Sequence, residues 1–187
     1  MSNFKFTPTF IKGMFVIEPK VFGDNRGYFM ETYHKEDFVA AGITDEFVQD
    51  NESSSKKGVL RGLHYQTEHT QGKLVRVING EVFDVGVDLR KNSPTYGKWY
   101  GEILSAKNKK QLYIPKGFAH GFVVLSDIAT FTYKCTDLYD PQHEGGIAWD
   151  DKDINIDWHL DGINEIILSD KDKNRKTLAE AKIEFDC

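Results

Sequence analysis

The chain has 187 residues, of which 40% are apolar and 28% charged, and a formal net charge of −5. That length holds one domain, with extensions at most, and can bury a sizeable core. The composition is that of a soluble globular protein; the acidic balance argues against a general nucleic-acid surface, and no apolar run approaches the ~18 residues needed to span a bilayer.

The opening MSNFKFTPTFIKG lacks an apolar core and a small-residue cleavage site, so no signal peptide is expected. The two cysteines, Cys135 in an apolar run and Cys187 at the end, have neither disulfide nor metal spacing. They read as free thiols of a cytoplasmic protein.

In chain order, Phe10 to Ile17 and Phe29 to Tyr33 are the first candidate strands, and Phe22 to Gly27 between them is a turn by composition. The run from Phe4 to Ile17 alternates apolar and polar positions and starts at a chain end, where an unpaired strand exposes an edge. It is expected to pair with a second chain in a two-fold dimer. Tyr33 to Ala41 suits a helical turn or two, stopped by Gly42.

Val59 to Gln66, Leu74 to Ile78 and Glu81 to Val87 read as three strands. Asn79-Gly80 between the last two is a strong hairpin signal, since both turn residues must accept positive φ. Further strands are expected at Lys98 to Leu104, Lys110 to Ile114, Gly121 to Leu125 and Ile128 to Lys134, with a closing helix at Lys176 to Lys182. There is no repeat, linker or low-complexity segment. Many short strands separated by Gly and Pro turns indicate an all-β fold, and a jelly-roll barrel of cupin type with a few short peripheral helices fits best.

His64 lies mid-strand, within thirteen residues of both Arg61 and Lys73. A lone strand histidine is ordinarily a hydrogen-bonded core residue, but this one has company. His120 follows the turn Pro115-Lys116-Gly117, and alternation puts Phe131, Tyr133 and Cys135 on one face. The run Ser169-Asp170-Lys171-Asp172 offers carboxylates that could orient a histidine. The Pro115-Xaa-Gly117-Xaa-Xaa-His120 pattern resembles the second motif of cupins, which often bind metal. Where their first motif has His-Xaa-His, this chain reads His64-Tyr65-Gln66. Two histidines do not make the three or four ligands a transition metal wants, so no metal is expected.

Blocks 22–33 (FGDNRGYFMETY), 47–66 (FVQDNESSSKKGVLRGLHYQ), 71–99, 104–126, 133–151 and 167–172 (ILSDKD) together resemble, in order, the dTDP-4-dehydrorhamnose 3,5-epimerase family. Tyr28, Met30 and Asp170 depart from its pattern, and the last fifteen residues match no motif. The resemblance implies His64 as catalytic base, Asp172 as its carboxylate partner, Tyr133 as general acid and Lys73 beside the substrate carbonyl. It implies substrate contacts at Arg26, Glu31, Gln49, Asn51, Arg61, His120, Glu144 and Lys171. Tyr139, also aromatic and six residues past Tyr133, is added as a substrate contact and alternative donor. The family is a homodimer exchanging N-terminal strands, so Arg26 and Glu31 are expected to reach the partner's site.

The implied substrate is a dTDP-linked 4-keto-6-deoxy sugar, whose C3 and C5 protons are acidified by the C4 ketone. Inversion needs a base on one face and an acid on the other. Histidine, with a pKa near ~6.5, serves as base near neutrality, and tyrosine, near ~10, stays protonated to donate. Lys73 would stabilise charge on O4, and Arg61 and Lys171 would hold the diphosphate. No redox step occurs and there is no Gly-rich dinucleotide loop, so no cofactor is expected.

Arg61 and His64 are three apart, on opposite faces of a regular strand; both face one ligand only if the strand is irregular, and Gly62 is the expected place. The alternatives are a single-site epimerase, a 3,4-ketoisomerase on the same sugar, a metal-dependent cupin oxygenase, and a non-catalytic sugar-nucleotide-binding barrel.

Overall fold

The computed structural model describes residues 2–186, so the thiol expected at Cys187 lies outside the described residues. The strands are β1 (Phe4–Pro8), β2 (Phe15–Pro19), β3 (Phe22–Asp24), β4 (Gly27–Phe29), β5 (Gln49–Lys56), β6 (Leu60–Gln66) and β7 (Lys73–Asn79). They continue with β8 (Glu81–Asp88), β9 (Trp99–Ser105), β10 (Gln111–Ile114), β11 (Phe118–Val124), β12 (Ile128–Cys135) and β13 (Glu144–Gly146). The helices are short: α1 (Lys35–Ala40), α2 (Asp170–Lys173) and α3 (Leu178–Ala181).

Two antiparallel sheets face each other in a cupin-type jelly roll. One runs β1-β2-β10-β7-β12-β5 and the other β13-β6-β11-β8-β9, with β3-β4 as a separate hairpin. Successive side chains alternate between faces. Val75 and Val77 of β7, Leu112 and Ile114 of β10, and Phe131 of β12 therefore meet Val82 of β8 and Phe122 and Val124 of β11 in a dry core between the sheets. The outward residues Phe83, Val85, Val87, Ala119 and Val123 are covered by the C-terminal segment through Ile154, Trp158, Leu178 and Phe185. This double covering explains why β11 and nearly all of β8 are buried along both faces.

Three expectations need correction, and one strand was missed. Asn79-Gly80 does not close a hairpin: β7 and β8 belong to different sheets. Only Gly80 of the pair has positive φ, at +77°, and a Cβ there would sit 2.1 Å from the Ile128 carbonyl oxygen. The dipeptide signals a sharp turn with close backbone approach, and it cannot say which strands then pair. Phe10 to Ile17 is not one strand, because Thr9 N donates to Met14 O at 3.0 Å and Gly13 takes φ +90°, folding β1 back on β2 within the chain. Past Phe29 the chain leaves the sheet, so the run to Tyr33 is not a strand. Strand β5 was not expected at all. Its sequence QDNESSSK is poor in β-formers, yet all eight residues pair with β12, from Gln49↔Cys135 to Lys56↔Ile128. Tertiary pairing overrides weak propensity here.

The irregularity at Gly62 is present. His120 pairs with His64 but Phe122 pairs with Arg61, so β6 spends one more residue than β11 over that interval. The Gly62-Leu63 peptide is cis and Gly62 has φ +129°. The extra residue puts Leu60 and Leu63 both in the second core, while Arg61 and His64 line one hollow beside Lys171 and Asp172. A Cβ on Gly62 would lie 2.5 Å from Gly121 Cα and 2.8 Å from the His120 carbonyl oxygen. Gly62→Ala is expected to lower stability by about 2 kcal/mol or more. Gly27→Ala, at φ +134° with nothing within 4 Å of the missing Cβ, carries the dihedral cost alone and should lose less. Urea unfolding of both variants checks the difference.

Candidate active site

The inward stripes that form the dry core become polar toward one end of the sandwich. On β12 the stripe runs Ala129, Phe131, Tyr133, Cys135; on β7 it runs Val77, Val75, Lys73; on β11 it runs Val124, Phe122, His120. The polar ends enclose a cavity of about 230 Å³. One wall, from the five-stranded sheet, presents His64 and His120; the opposite wall, from the six-stranded sheet, presents Lys73 and Tyr133. Six of the expected residues thus line it, two on each wall together with Tyr139 and Glu144. Another hollow, of about 360 Å³ and lined by Asp50, Glu52, Arg76 and Lys134, holds no histidine.

His64 Nε2 lies 2.6 Å from Asp172 Oδ1. An ionised carboxylate only accepts, so the neutral imidazole carries its proton on Nε2 and leaves Nδ1 free. The segment before Asp172 is docked on the start of β6: Leu60 N donates to Ile167 O at 3.0 Å and Ile167 N to Gly58 O at 2.8 Å. Ser169 then caps α2, its Oγ accepting from Asp172 N at 3.1 Å. Burial works to raise the Asp172 carboxyl, but hydrogen bonds from His64 and Ser169 and the charges of His64 and Arg175 outweigh it, and the group lies below its ordinary value.

Beside it, His120 Nε2 is 2.9 Å from Asp84 Oδ2, and both residues are buried. Burial holds the His120 imidazole below its usual pKa, against the pull of Asp84. Asp84 Oδ1 has no partner. On the other wall burial raises the Tyr133 hydroxyl, so it keeps its proton at neutral pH. Burial also lowers Lys73, while Cys135, Asp84 and Glu144 act in the opposite sense.

At the cavity rim Glu144 gathers three donors: Tyr139 Oη at 2.7 Å, Arg175 Nη2 at 2.6 Å and Lys171 Nζ at 3.3 Å. Burial alone would raise this carboxyl, and the three donors take it down to about 2. Arg61 donates to Ser55 Oγ at 3.0 Å, across to β5. Gln49 Nε2 donates to Asn51 Oδ1 at 3.1 Å, Asn51 Nδ2 reaches Cys135 Sγ at 3.6 Å, and Gln49 Oε1 accepts from Tyr139 N at 2.9 Å. Gln66, where a cupin would have its second histidine, spends its amide on the loops: Nε2 donates to His69 O and Leu138 O, and Oε1 accepts from Asp140 N. Among the described residues no three His, Cys, Asp or Glu side chains converge as metal ligands.

Arg26 and Glu31 are not in this cavity. Arg26 lies on the exposed β3-β4 hairpin and pairs with Asp24, and Glu31 Oε2 accepts from Asn3 Nδ2 at 2.7 Å. Three contributors were not expected: Asp84 behind His120, Ser169 beneath Asp172, and Arg175 between Asp172 and Glu144. Ser169 was legible as a helix cap. Asp84 was legible only as a charge inside the apolar run VFDVGV, and Arg175 carried no local signal.

The model of a family described as dTDP-4-dehydrorhamnose 3,5-epimerase matches residues 8–180. A dTDP-4-dehydrorhamnose 3,5-epimerase of Methanothermobacter thermautotrophicus is 56% identical over 180 residues, covering 96% of this chain and 97% of its own. A dTDP-4-dehydrorhamnose 3-epimerase of Streptomyces niveus is 39% identical over 177 residues, covering 94% and 84%. The crystal structure of a dTDP-6-deoxy-D-glucose-3,5-epimerase from Legionella pneumophila, in complex with dTDP-4-keto-L-rhamnose, matches with a TM-score of 0.93 at 51% identity, covering 98% of this chain and 100% of that one.

The depressed Glu144 carboxyl makes stability pH-dependent. Its contribution is complete above the unfolded value of about 4.5 and is lost as pH falls toward about 2. At most it is worth about 3 kcal/mol. Glu144→Gln should therefore flatten the loss of stability between pH 5 and pH 3, measured by urea unfolding at both.

Proposed function

The chain belongs to the dTDP-4-dehydrorhamnose 3,5-epimerase family, and from that premise we propose how its own residues carry the reaction. The reaction is epimerisation of dTDP-4-dehydro-6-deoxy-D-glucose at C3 and C5 to dTDP-4-dehydro-L-rhamnose. The observation that carries the assignment of roles is that the His64–Asp172 pair and Tyr133 stand on opposite sheets, across one cavity.

A proton leaves C3 or C5 to His64 Nδ1, and Asp172 stabilises the imidazolium that results. Negative charge moves onto O4, where the Lys73 ammonium offers a donor in a low-dielectric site. Tyr133 returns a proton from the other wall, which inverts the carbon. Solvent takes the proton from His64 and returns one to Tyr133, and the same set then serves the second carbon. Arg61 and Lys171 would bind the diphosphate, with Gln49, Asn51, Tyr139 and Glu144 at the rim contacting the rest of the nucleotide sugar. No step calls for an electron carrier.

The quaternary reading rests on the arm. Val21, Phe22, Tyr28 and Phe29 around the β3-β4 hairpin are exposed, β1 lies at a sheet edge, and Arg26 and Glu31 stay outside the cavity of their own chain. A two-fold dimer would cover the apolar arm and deliver Arg26 and Glu31 to the partner's site. The unit is one cupin domain, working in the cytoplasm, where a buried free thiol such as Cys135 persists. Light scattering at micromolar concentration should give twice the chain mass; a fully active monomer would remove the shared site.

Proton NMR in D2O tests the chemistry. The protein should place deuterium at both C3 and C5 of the sugar; wash-in at one carbon would indicate a single-site epimerase. His64→Asn should cut exchange at both carbons by at least ~10²-fold while dTDP still binds. Tyr133→Phe, which keeps the ring, should leave wash-in through His64 and lose net inversion. Equal, modest losses of both would point to Tyr139 as donor.

A further inference from the structure

We propose that Arg175 is a positioning residue for the base: its guanidinium braces Glu144 and Asp172 together and favours the neutral imidazole of His64, with Nδ1 open, over the imidazolium. The inference rests on the reading of His64 as base. Arg175 Nη2 donates to Glu144 Oε1 at 2.6 Å, and its Nε stands 3.7 Å from Asp172 Oδ1, the same oxygen that holds His64. That Nε is buried and has no hydrogen-bond partner, and the side chain is 15% exposed.

The placement is built into the sheet. Gly146 of β13 lies opposite His64 of β6, and a Cβ at Gly146 would come within 2.6 Å of Arg175 Nε. Only a glycine there lets the guanidinium lie against the strand. The following residue, Lys176, accepts from Ala148 N at 2.8 Å, so the backbone beside Arg175 is fixed to the same strand's continuation.

The electrostatic consequence has a definite sign. Arg175 and a protonated His64 are two cations sharing the Asp172 carboxylate. The charges around the guanidinium are Glu144 from β13, Asp172 and Lys171 from α2, and His64 from β6, with the phenols of Tyr65 and Tyr139 nearby; His64 itself shares its cavity with His120 of β11, Lys73 of β7 and Tyr133 of β12. Removing the Arg175 charge removes a repulsion from the imidazolium. It also leaves Glu144 with less compensation, which favours a nearby cation. Both effects make the dyad hold its proton to higher pH, and a protonated base cannot abstract.

The test is the pH profile of deuterium exchange into the dTDP-4-keto sugar. In Arg175→Met the acid limb should move up by about one pH unit, so that exchange below the limb slows about tenfold beyond any loss on the plateau. Arg175→Lys keeps the charge without the fork; its plateau should fall while its acid limb stays near the native position. Circular dichroism and melting report folding, and Arg175→Gln, which keeps a donor for Glu144, carries the same expected shift should the Met variant fail to fold. An acid limb at the native pH in the neutral variants, or one shifted equally by the Lys variant, overturns the proposal. His64→Asn in the same assay separates the two readings: if it exchanges normally, the base assignment falls; if it is inert and the Arg175 limb does not move, only the brace falls.

Discussion

The close approach of β6 to β11 at Gly62 and Gly121 is the constraint on which the site depends. A Cβ on Gly121 would lie 2.9 Å from the Arg61 carbonyl oxygen, and one on Gly62 would collide with Gly121 and His120. Two facing glycines let the strands pass closely while β6 carries one extra residue. That residue changes the phase of the strand. On one side of it Leu60 points outward and Arg61 inward; on the other Leu63 points outward and His64 inward. A strict two-residue period would send either Arg61 or His64 into the apolar layer beneath the C-terminal segment, where a charged group has no partner.

The jelly roll divides its interior by length along the strands. One end is filled by side chains such as Phe122 and Phe131, whose rings stack with centroids 4.3 Å apart. The other end leaves space lined by ionisable groups. The packed half supplies the burial that holds the sheets at a fixed separation. The open half uses that separation to face His64 with Tyr133. Because the two come from different sheets, their relative position is set by packing of the whole sandwich and not by a single loop.

The ionisable groups at the open end are mostly arranged in neutralising sets. Asp172 lies between His64 and Arg175, and Glu144 between Arg175, Lys171 and Tyr139. A buried carboxylate without such partners would take up a proton and lose its role. Asp84 is the exception, with one oxygen on His120 and the other without a partner. Lys171 illustrates how a set can serve binding: it is the exposed donor to Glu144, and a diphosphate would compete for it while Arg175 continues to hold the carboxylate.

Much of this was legible in the chain by itself. Short β-rich runs between Gly and Pro turns specified an all-β roll, because the two-residue period and the turn residues are local properties. The family blocks pointed to His64, Tyr133, Asp172 and Lys73, and the three-residue spacing of Arg61 and His64 called for a break of period near Gly62 if both were to face one ligand. Pairing was not legible. Asn79-Gly80 read as a hairpin turn and became a corner between sheets, and β5, with no apolar residue in QDNESSSK, became a strand only because β12 offered it an edge. Two partners were equally hidden, Asp84 at 36 positions from His120 and Arg175 at 31 from Glu144. Sequence determines what each segment prefers and which side chains bring chemistry. Which segments lie side by side, and so which charges share one site, is decided when distant backbones pair and close a common core.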